Sequence, residues 1–184
     1  MTHESVLSDT WSRLREGVKY GVHPFHTPVL ASVSGHKPDM RTVVLRQADE
    51  AKRQLICHTD VRSPKVSMLQ RNSQVAWLFY DREAKVQLRL YGEVSLHSSD
   101  AIAAAHWENC TPSSRRCYLA ASAPGQILAE PGERSVQQND GFENFAVVSC
   151  EISSIDWLFL RASGHLRARL DWRIDHWNGQ WIAP

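Results

Sequence analysis

Arg41, Arg46 and Lys65, with the hydroxyls of Thr42, Thr59 and Ser63, fall within one stretch of 25 residues. The run Arg41-Thr42-Val43-Val44-Leu45-Arg46 reads as a short strand, apolar and β-branched between two arginines. Gln47 to Arg53 reads as a charged turn, and Leu55-Ile56-Cys57-His58-Thr59-Asp60 as the return strand. Ser63 then suits an N-cap and Pro64 the first helical position, with Val66, Met68 and Leu69 as the apolar positions. Lys65 therefore falls in the first turn of a helix, where unpaired N–H groups and the helix dipole already supply positive charge. A bound anion would offset the cost of placing a cation there, and phosphate is the obvious candidate. Arg41, at the start of the neighbouring strand, could add a forked contact to the same anion. The plain alternative is that Arg41, Arg46 and Lys65 are solvated surface charges.

The elements that must hold this stretch follow in order. Residues 5 to 19 read as a helix, with Trp11, Leu14 and Val18 at helical spacing. Tyr20 to His26 reads as a loop in which His23 and His26 are surface histidines rather than metal ligands. Pro28 to Ser34 is a strand, turned by Gly35 to Asp39 into the Arg41 strand. Gln74 to Tyr80 and Ala84 to His97 alternate strictly, as strands with one buried face do, and Gly92 inside the second marks a bulge or a close backbone approach. Ser98-Ser99-Asp100 caps an alanine-rich helix to about Asn109, and a second short helix runs to Ala121. Residues 122 to 141 read as one long loop, of a length usually tied to function or mobility. Phe145 to Ile152 is a strand that Ser154 to Arg161 continues or pairs with, and His165 to Ile174 is a strand that places His165, Arg167 and Arg169 on one face. Asn178-Gly179 is the strongest short hairpin signal in the chain. Seven or eight antiparallel strands with three or four outer helices favour a mainly β fold, a small β-barrel with peripheral α-helices, over an open sheet.

Composition narrows the field further. The chain has 184 residues, enough for a single domain with a proper core, here taken as residues 1–184 with 1–27 as an N-terminal helix and loop. A net charge of +1 gives no global field for nucleic acid. No apolar run approaches the length that spans a bilayer, and the N-terminus does not resemble a signal peptide, so a cytoplasmic location is expected. The four cysteines form no C-x-x-C pair, so no metal site is expected, and Cys57 and Cys150 fall in strands as small core residues. Of seven tryptophans, Trp172, Trp177 and Trp181 crowd the C-terminus, which points to an aromatic packing surface or interface.

The order of these features resembles the pyridoxamine 5'-phosphate oxidase-like flavoproteins, the FMN-binding split β-barrels, from about residue 28 to the end. Arg41 to Arg46 resembles that family's Arg-x-Val-Leu-Leu-Lys strand, which holds FMN. His58-Thr59-Asp60 with Ser63-Pro64-Lys65 resembles its Phe-Thr-Asn and Ser-Arg-Lys, and Gln87-Leu88-Arg89-Leu90-Tyr91-Gly92 its Gln-Val-Arg-x-x-Gly. The resemblance implies FMN held by Arg41, Thr42, Val43, Val44, His58, Thr59, Ser63 and Lys65. It adds Gln87, Trp157 and a late arginine, Arg167 or Arg169, with Gln87 coming from the partner subunit. Gln126 stands near a Gln-Ser pair that contacts the FMN phosphate. On the substrate side, Arg46, Trp107, Arg115 and His165 fall at or near family positions, but the residue types differ. Arg46 replaces a lysine, Trp107 a tyrosine, Thr111 and Arg115 stand for an arginine and a serine, and His165-Leu166-Arg167 reverses an Arg-Leu-His motif. The flavin side is kept and the vitamin-phosphate side is not, so the resemblance is to the wider family rather than to the vitamin B6 oxidase itself.

The function implied is an FMN-dependent oxidoreductase, a homodimer with FMN at the subunit interface, acting by hydride transfer on a small and, from its arginines, anionic molecule. No protein nucleophile is required, so no catalytic residue is assigned. The alternative class is a split barrel that binds FMN without turnover, or haem, with His58, His36 or His165 as axial ligand.

Overall fold

The computed structural model describes residues 1–130 and 140–184. Helix α1 (His3–Lys19) opens the chain. Thr2 and Ser5 cap it reciprocally, and it buries Val6, Thr10, Trp11 and Leu14 along one face. The spacing of those residues is that of a single helical stripe, which α1 lays against the sheet.

The strands are β1 (Val29–Ser34), β2 (Lys37–Thr42), β3 (Gln47–Asp49), β4 (Gln54–Asp60), β5 (Gln74–Asp81), β6 (Val86–His97), β7 (Phe145–Phe159), β8 (Leu166–Arg173) and β9 (His176–Ile182). They form one antiparallel sheet in the order β2-β1-β5-β6-β7-β4-β3, and β8 and β9 continue from the far half of β7. Around it lie α2 (Pro64–Arg71), α3 (Ala101–Glu108) and the single turn α4 (Pro112–Arg115). The expected β-barrel with peripheral helices is what is found, and its split is visible in the chain. Two clusters of buried side chains lie on the two faces of β4: Leu55 and Cys57 join the main core, while Ile56 packs with Trp107, Tyr118 and Phe145 under α3.

Three sequence expectations need correction. Arg41 to Arg46 is not one strand. β2 ends at Thr42, and residues 43–46 cross between sheet edges, with the Val43 and Leu45 N–H groups donating to the Pro28 and His26 carbonyls and the Arg46 N–H to Ile56. Serving partners on both sides breaks the regular ladder and closes the barrel. The charged stretch after it is only partly a turn: Gln47–Asp49 pairs with Gln54–Ile56 as β3. Of the two alternatives for Ser154 to Arg161, continuation is the one found: it extends the Phe145 strand as one strand, β7, which ends at Phe159. Asn178-Gly179 is not a turn, because Ile174 takes the positive φ of 55° and makes the β8–β9 bend. Gly179 is needed for another reason: a Cβ there would meet His3 Cγ at 2.5 Å. Missing side-chain volume at Gly179 is what lets the start of α1 lie on β9. The bulge expected at Gly92 is present, with the β6–β7 register shifting between Tyr91 and Gly92 and a Cβ there falling 2.1 Å from the Glu151 carbonyl oxygen.

Candidate functional site

The end of β4 and the start of α2 form the first part of the site. Ser63 occupies the N-cap position in an extended conformation but makes no capping bond. Its hydroxyl instead accepts from Lys65 Nζ at 3.0 Å, and Thr59 Oγ1 accepts from the same ammonium at 2.8 Å. Among the described residues Lys65 has no carboxylate partner. Burial pulls its pKa below the ordinary lysine value, and Arg41 adds to the fall. The loop before α2 is locked by Arg62, which forks onto Asp60 and donates to the Ala120 and Ala121 carbonyls. A half-buried cation beside an uncapped helix start is a costly arrangement, and an anion is what relieves it.

Arg41 is close enough for its charge to act on Lys65. Its own guanidinium is held by the Ser32 hydroxyl at 2.8 Å, the Leu30 carbonyl and the Asp39 carboxylate. Part of its charge is therefore already neutralised. Thr42 is exposed, Val43 buried and Val44 between them in exposure. The Val44 N–H has no hydrogen-bond partner among the described residues, whereas its neighbours on both sides are bonded. Gln126 lies on the turn that packs beside α2: a Cβ on Gly125 would stand 3.4 Å from Pro64 Cγ, and the Gln126 Oε1 accepts from the Ala123 N–H. Residues 131–139 of the long loop expected over 122–141 lie outside the described residues.

A cavity of about 370 Å³ opens on the other face of β4, lined by Leu45, Arg46, His58, His106, Cys110, Thr111 and Ser114 among others. Of the residues expected on the substrate side, Arg46 lines it and makes no ion pair among the described residues. Trp107 does not line it. That residue is 6% exposed and packs with Tyr118, Phe142 and Phe145. Arg115 is also turned away: its guanidinium covers the Trp107 ring at 4.9 Å and donates to the Trp107 and Glu108 carbonyls, capping α3. Thr111 and Ser114 take the places expected for these two. His165 sits in the β7–β8 bend, where its Nδ1 accepts from the Arg161 N–H.

His58 is positioned unlike a free ligand. Its Nε2 lies 3.2 Å from His106 Nδ1, its Nδ1 lies 3.7 Å from Cys110 Sγ, and its ring packs edge-on against Phe145. Burial, with His106 and then Arg46, pushes its pKa down to about 3. Burial likewise raises the Cys110 thiol above its usual value and lowers His106. His58 was foreseen as an FMN neighbour or a haem ligand, whereas His106 and Cys110 were given no role in a site. Their four-residue spacing at the end of α3 was the available signal.

The third group lies on the far half of β7. Gln87 is paired with Leu158, and Leu158 with Arg167, so Gln87 and Arg167 share the outer face with the Arg89-Asp156-Arg169 row. Burial would raise the Asp156 pKa, but hydrogen bonds and charge from Arg167 and Arg89 outweigh it and hold it low. Arg167 is fixed by Asp156 at 2.7 Å, whereas Arg169 is more exposed and reaches only Asp171. Trp157, expected beside Gln87 at the flavin, points the other way: it is paired with Leu88 and Ala168 and is 3% exposed in the core. Alternation along β7 forbids Trp157 from sharing the outer face. From Ala146, beside Thr59, to Leu158, beside Gln87, β7 runs up to roughly 40 Å of strand. Among the described residues no hydrogen bond or ion pair joins Gln87, Arg167 or Arg169 to Lys65, whose ammonium is held by Thr59 and Ser63.

Comparison with known proteins now defines the class. Residues 8–98 match the family model described as pyridoxamine 5'-phosphate oxidase, FMN-binding domain. Among solved structures, a pyridoxamine 5'-phosphate oxidase-related, FMN binding protein from Nostoc punctiforme superposes with a TM-score of 0.76 at 22% identity, covering 96% of each chain. PhzG from Burkholderia lata, solved with tetrahydrophenazine-1-carboxylic acid, gives 0.74 at 15% identity over 100% of this chain and 94% of its own. A putative pyridoxamine 5'-phosphate oxidase from Listeria innocua gives 0.55 at 21% identity over 82% and 95%. No curated protein matches the sequence. These likenesses define the fold as an FMN-binding split barrel. Residues 8–98 form an FMN-binding domain of the pyridoxamine 5'-phosphate oxidase type, and the whole chain shares its fold with related FMN-binding proteins. FMN is the cofactor of that domain. Among the described residues no helix is long and apolar enough to cross a membrane.

The residues present fit that cofactor. Lys65, the uncapped start of α2 and the two hydroxyls suit its phosphate, and the unpartnered Val44 N–H suits a polar ring edge.

Proposed function

We propose that the protein is an FMN-dependent oxidoreductase acting on a small anionic molecule, with the cofactor site completed by a second copy of the chain. The observation that carries this is the half-buried Lys65 ammonium, held by Thr59 and Ser63 with no carboxylate partner among the described residues. Lys65 and Ser63 bind the phosphate, with Arg41 adding charge from β2 and Gln126 reaching in from its turn. Thr42, Val43 and Val44 present backbone to the ring edge. FMN, when bound, supplies the capacity to accept or donate a hydride. Arg46 attracts and orients an anionic substrate in the cavity beside it, and the apolar wall at Leu45 excludes water from that side.

Gln87, Arg167 and Arg169 serve the partner's site. That none of them bonds to Lys65 or its two hydroxyl partners within one chain, among the described residues, supports this. Arg167, already anchored by Asp156, is the better placed of the two arginines to position a ligand; Arg169 is the looser. The haem alternative loses support at His58, both of whose ring nitrogens are engaged. The substrate differs from pyridoxamine phosphate, since Trp107 and Arg115 are committed to the core and to α3.

The experiment is to reduce the FMN-loaded protein anaerobically with candidate donors, nicotinamide nucleotides and small carboxylates, and to follow flavin bleaching. Bleaching by a carboxylate that is weakened in Arg46→Ala supports the proposal. Bound FMN that no donor bleaches, and that after dithionite reduction no acceptor reoxidises faster than free reduced FMN, leaves a binding protein only.

A further inference from the structure

We infer that Cys110 is a nucleophilic thiol whose proton leaves through His58 to His106, making the Arg46 cavity a site for covalent capture of a small carboxylate that bears an electrophilic carbon. Arg46 as the anchor rests on the substrate reading above; the thiol chain rests on geometry alone. Three side chains from separate segments meet here: Cys110 after α3, His58 on β4 and His106 on α3. Cys110 Sγ lies 3.7 Å from His58 Nδ1, and His58 Nε2 lies 3.2 Å from His106 Nδ1. All three line the same cavity as Arg46.

The tautomer follows from these contacts. If the thiol donates to Nδ1, His58 carries its proton on Nε2 and donates to His106 Nδ1. His58 is too buried to hold a charge, so it acts by passing a proton on rather than by keeping one. His106, nearer the rim, is the group that sheds it to water. In the step, a sulfur electron pair forms the S–C bond and the leaving group departs with the electrons of its bond. The thiol proton moves to His58 Nδ1 as the Nε2 proton moves to His106. No oxidant or reductant is needed. The charged and titratable groups facing the chain are Arg46 from the β2–β3 link, His97 at the end of β6 and Arg115 from α4. Cys57 and Cys150 are no competitors, because both are sealed in the core at 1% and 0% exposure, whereas Cys117 is exposed and serves as the internal reference.

The test is alkylation of the full chain by iodoacetate and by iodoacetamide near neutral pH, with each cysteine read by peptide mass spectrometry. Iodoacetate is expected to label Cys110 faster than Cys117, and Arg46→Ala to remove that preference while leaving iodoacetamide unaffected. His58→Phe, which keeps an aromatic ring against Phe145, is expected to slow Cys110 labelling by about tenfold or more and leave Cys117 unchanged. His106→Ala is expected to slow it in the same direction. Cys110 labelling no faster than Cys117, or unaffected by His58→Phe, overturns the inference. FMN titration of the same variants reports separately on the cofactor site, so failure of one reading does not mimic failure of the other.

Discussion

Replacing Lys65 with methionine separates the cost of the ammonium from its use. The methionine keeps most of the apolar stem and removes the charge. In the proposed complex Lys65 makes a charge-assisted contact to phosphate, so its loss costs about 1.5–3 kcal/mol of FMN binding, which is roughly a 10- to 150-fold rise in Kd. Without FMN the sign reverses. The ammonium is half buried with two hydroxyls and, among the described residues, no carboxylate partner, and its pKa is depressed chiefly by burial. Its charge therefore opposes folding, and Lys65→Met leaves the FMN-free protein as stable as the wild type or more stable. The assay is quenching of FMN fluorescence for affinity, paired with urea unfolding of the FMN-free protein. Unchanged affinity refutes the phosphate assignment. Weaker affinity together with a clearly less stable FMN-free protein refutes the reasoning differently, by showing that Lys65 holds the fold rather than the ligand.

Three further outcomes follow. His58 stays neutral in the fold to about pH 3, while its ordinary value is 6.5, so between these the unfolded chain binds the extra proton and stability is lost as pH falls. Wild type should lose about 2 kcal/mol relative to His58→Phe by about pH 5, read by urea unfolding, and parallel curves for the two would contradict the burial of His58. Gly92→Ala should destabilise by at least about 2 kcal/mol, because its methyl collides with the Glu151 carbonyl at the bulge, and a neutral effect would mean the bulge is not held as described. Gln87→Ala should weaken FMN binding although Gln87, on β6 beside Leu158 of β7, makes no bond to Lys65 among the described residues, whereas Trp157→Phe should leave affinity unchanged; the opposite ranking would show that the core face of this sheet, and not its outer face, serves the cofactor.

The sequence carried much of this and missed parts for identifiable reasons. Alternation in β5 and β6 and the Ser63-Pro64 helix start were legible because each is a local signal, set by periodicity and by backbone preference. Ser63 was legible as an N-cap by position, but not its use: its hydroxyl serves Lys65 instead of the helix. Arg41 to Arg46 reads as one strand, since its composition is uniform, yet it must bond to carbonyls on two sides of the barrel opening. Asn178-Gly179 carried a turn signal that tertiary packing overrode, because His3 occupies the space above Gly179. The Cys110-His58-His106 chain was invisible for a related reason. Its members lie on separate elements, and only the packing of α3 over β4 brings them together.

The central claim is an FMN site shared between two copies of the chain. The direct measurement is sedimentation of the protein loaded with FMN, followed at the flavin's visible absorbance. The account predicts flavin absorbance moving as a dimer, with one FMN per chain, and loss of that comigration in Lys65→Met at FMN concentrations that saturate the wild type. Flavin moving with a monomer at full occupancy, or staying at the meniscus with free FMN, contradicts it.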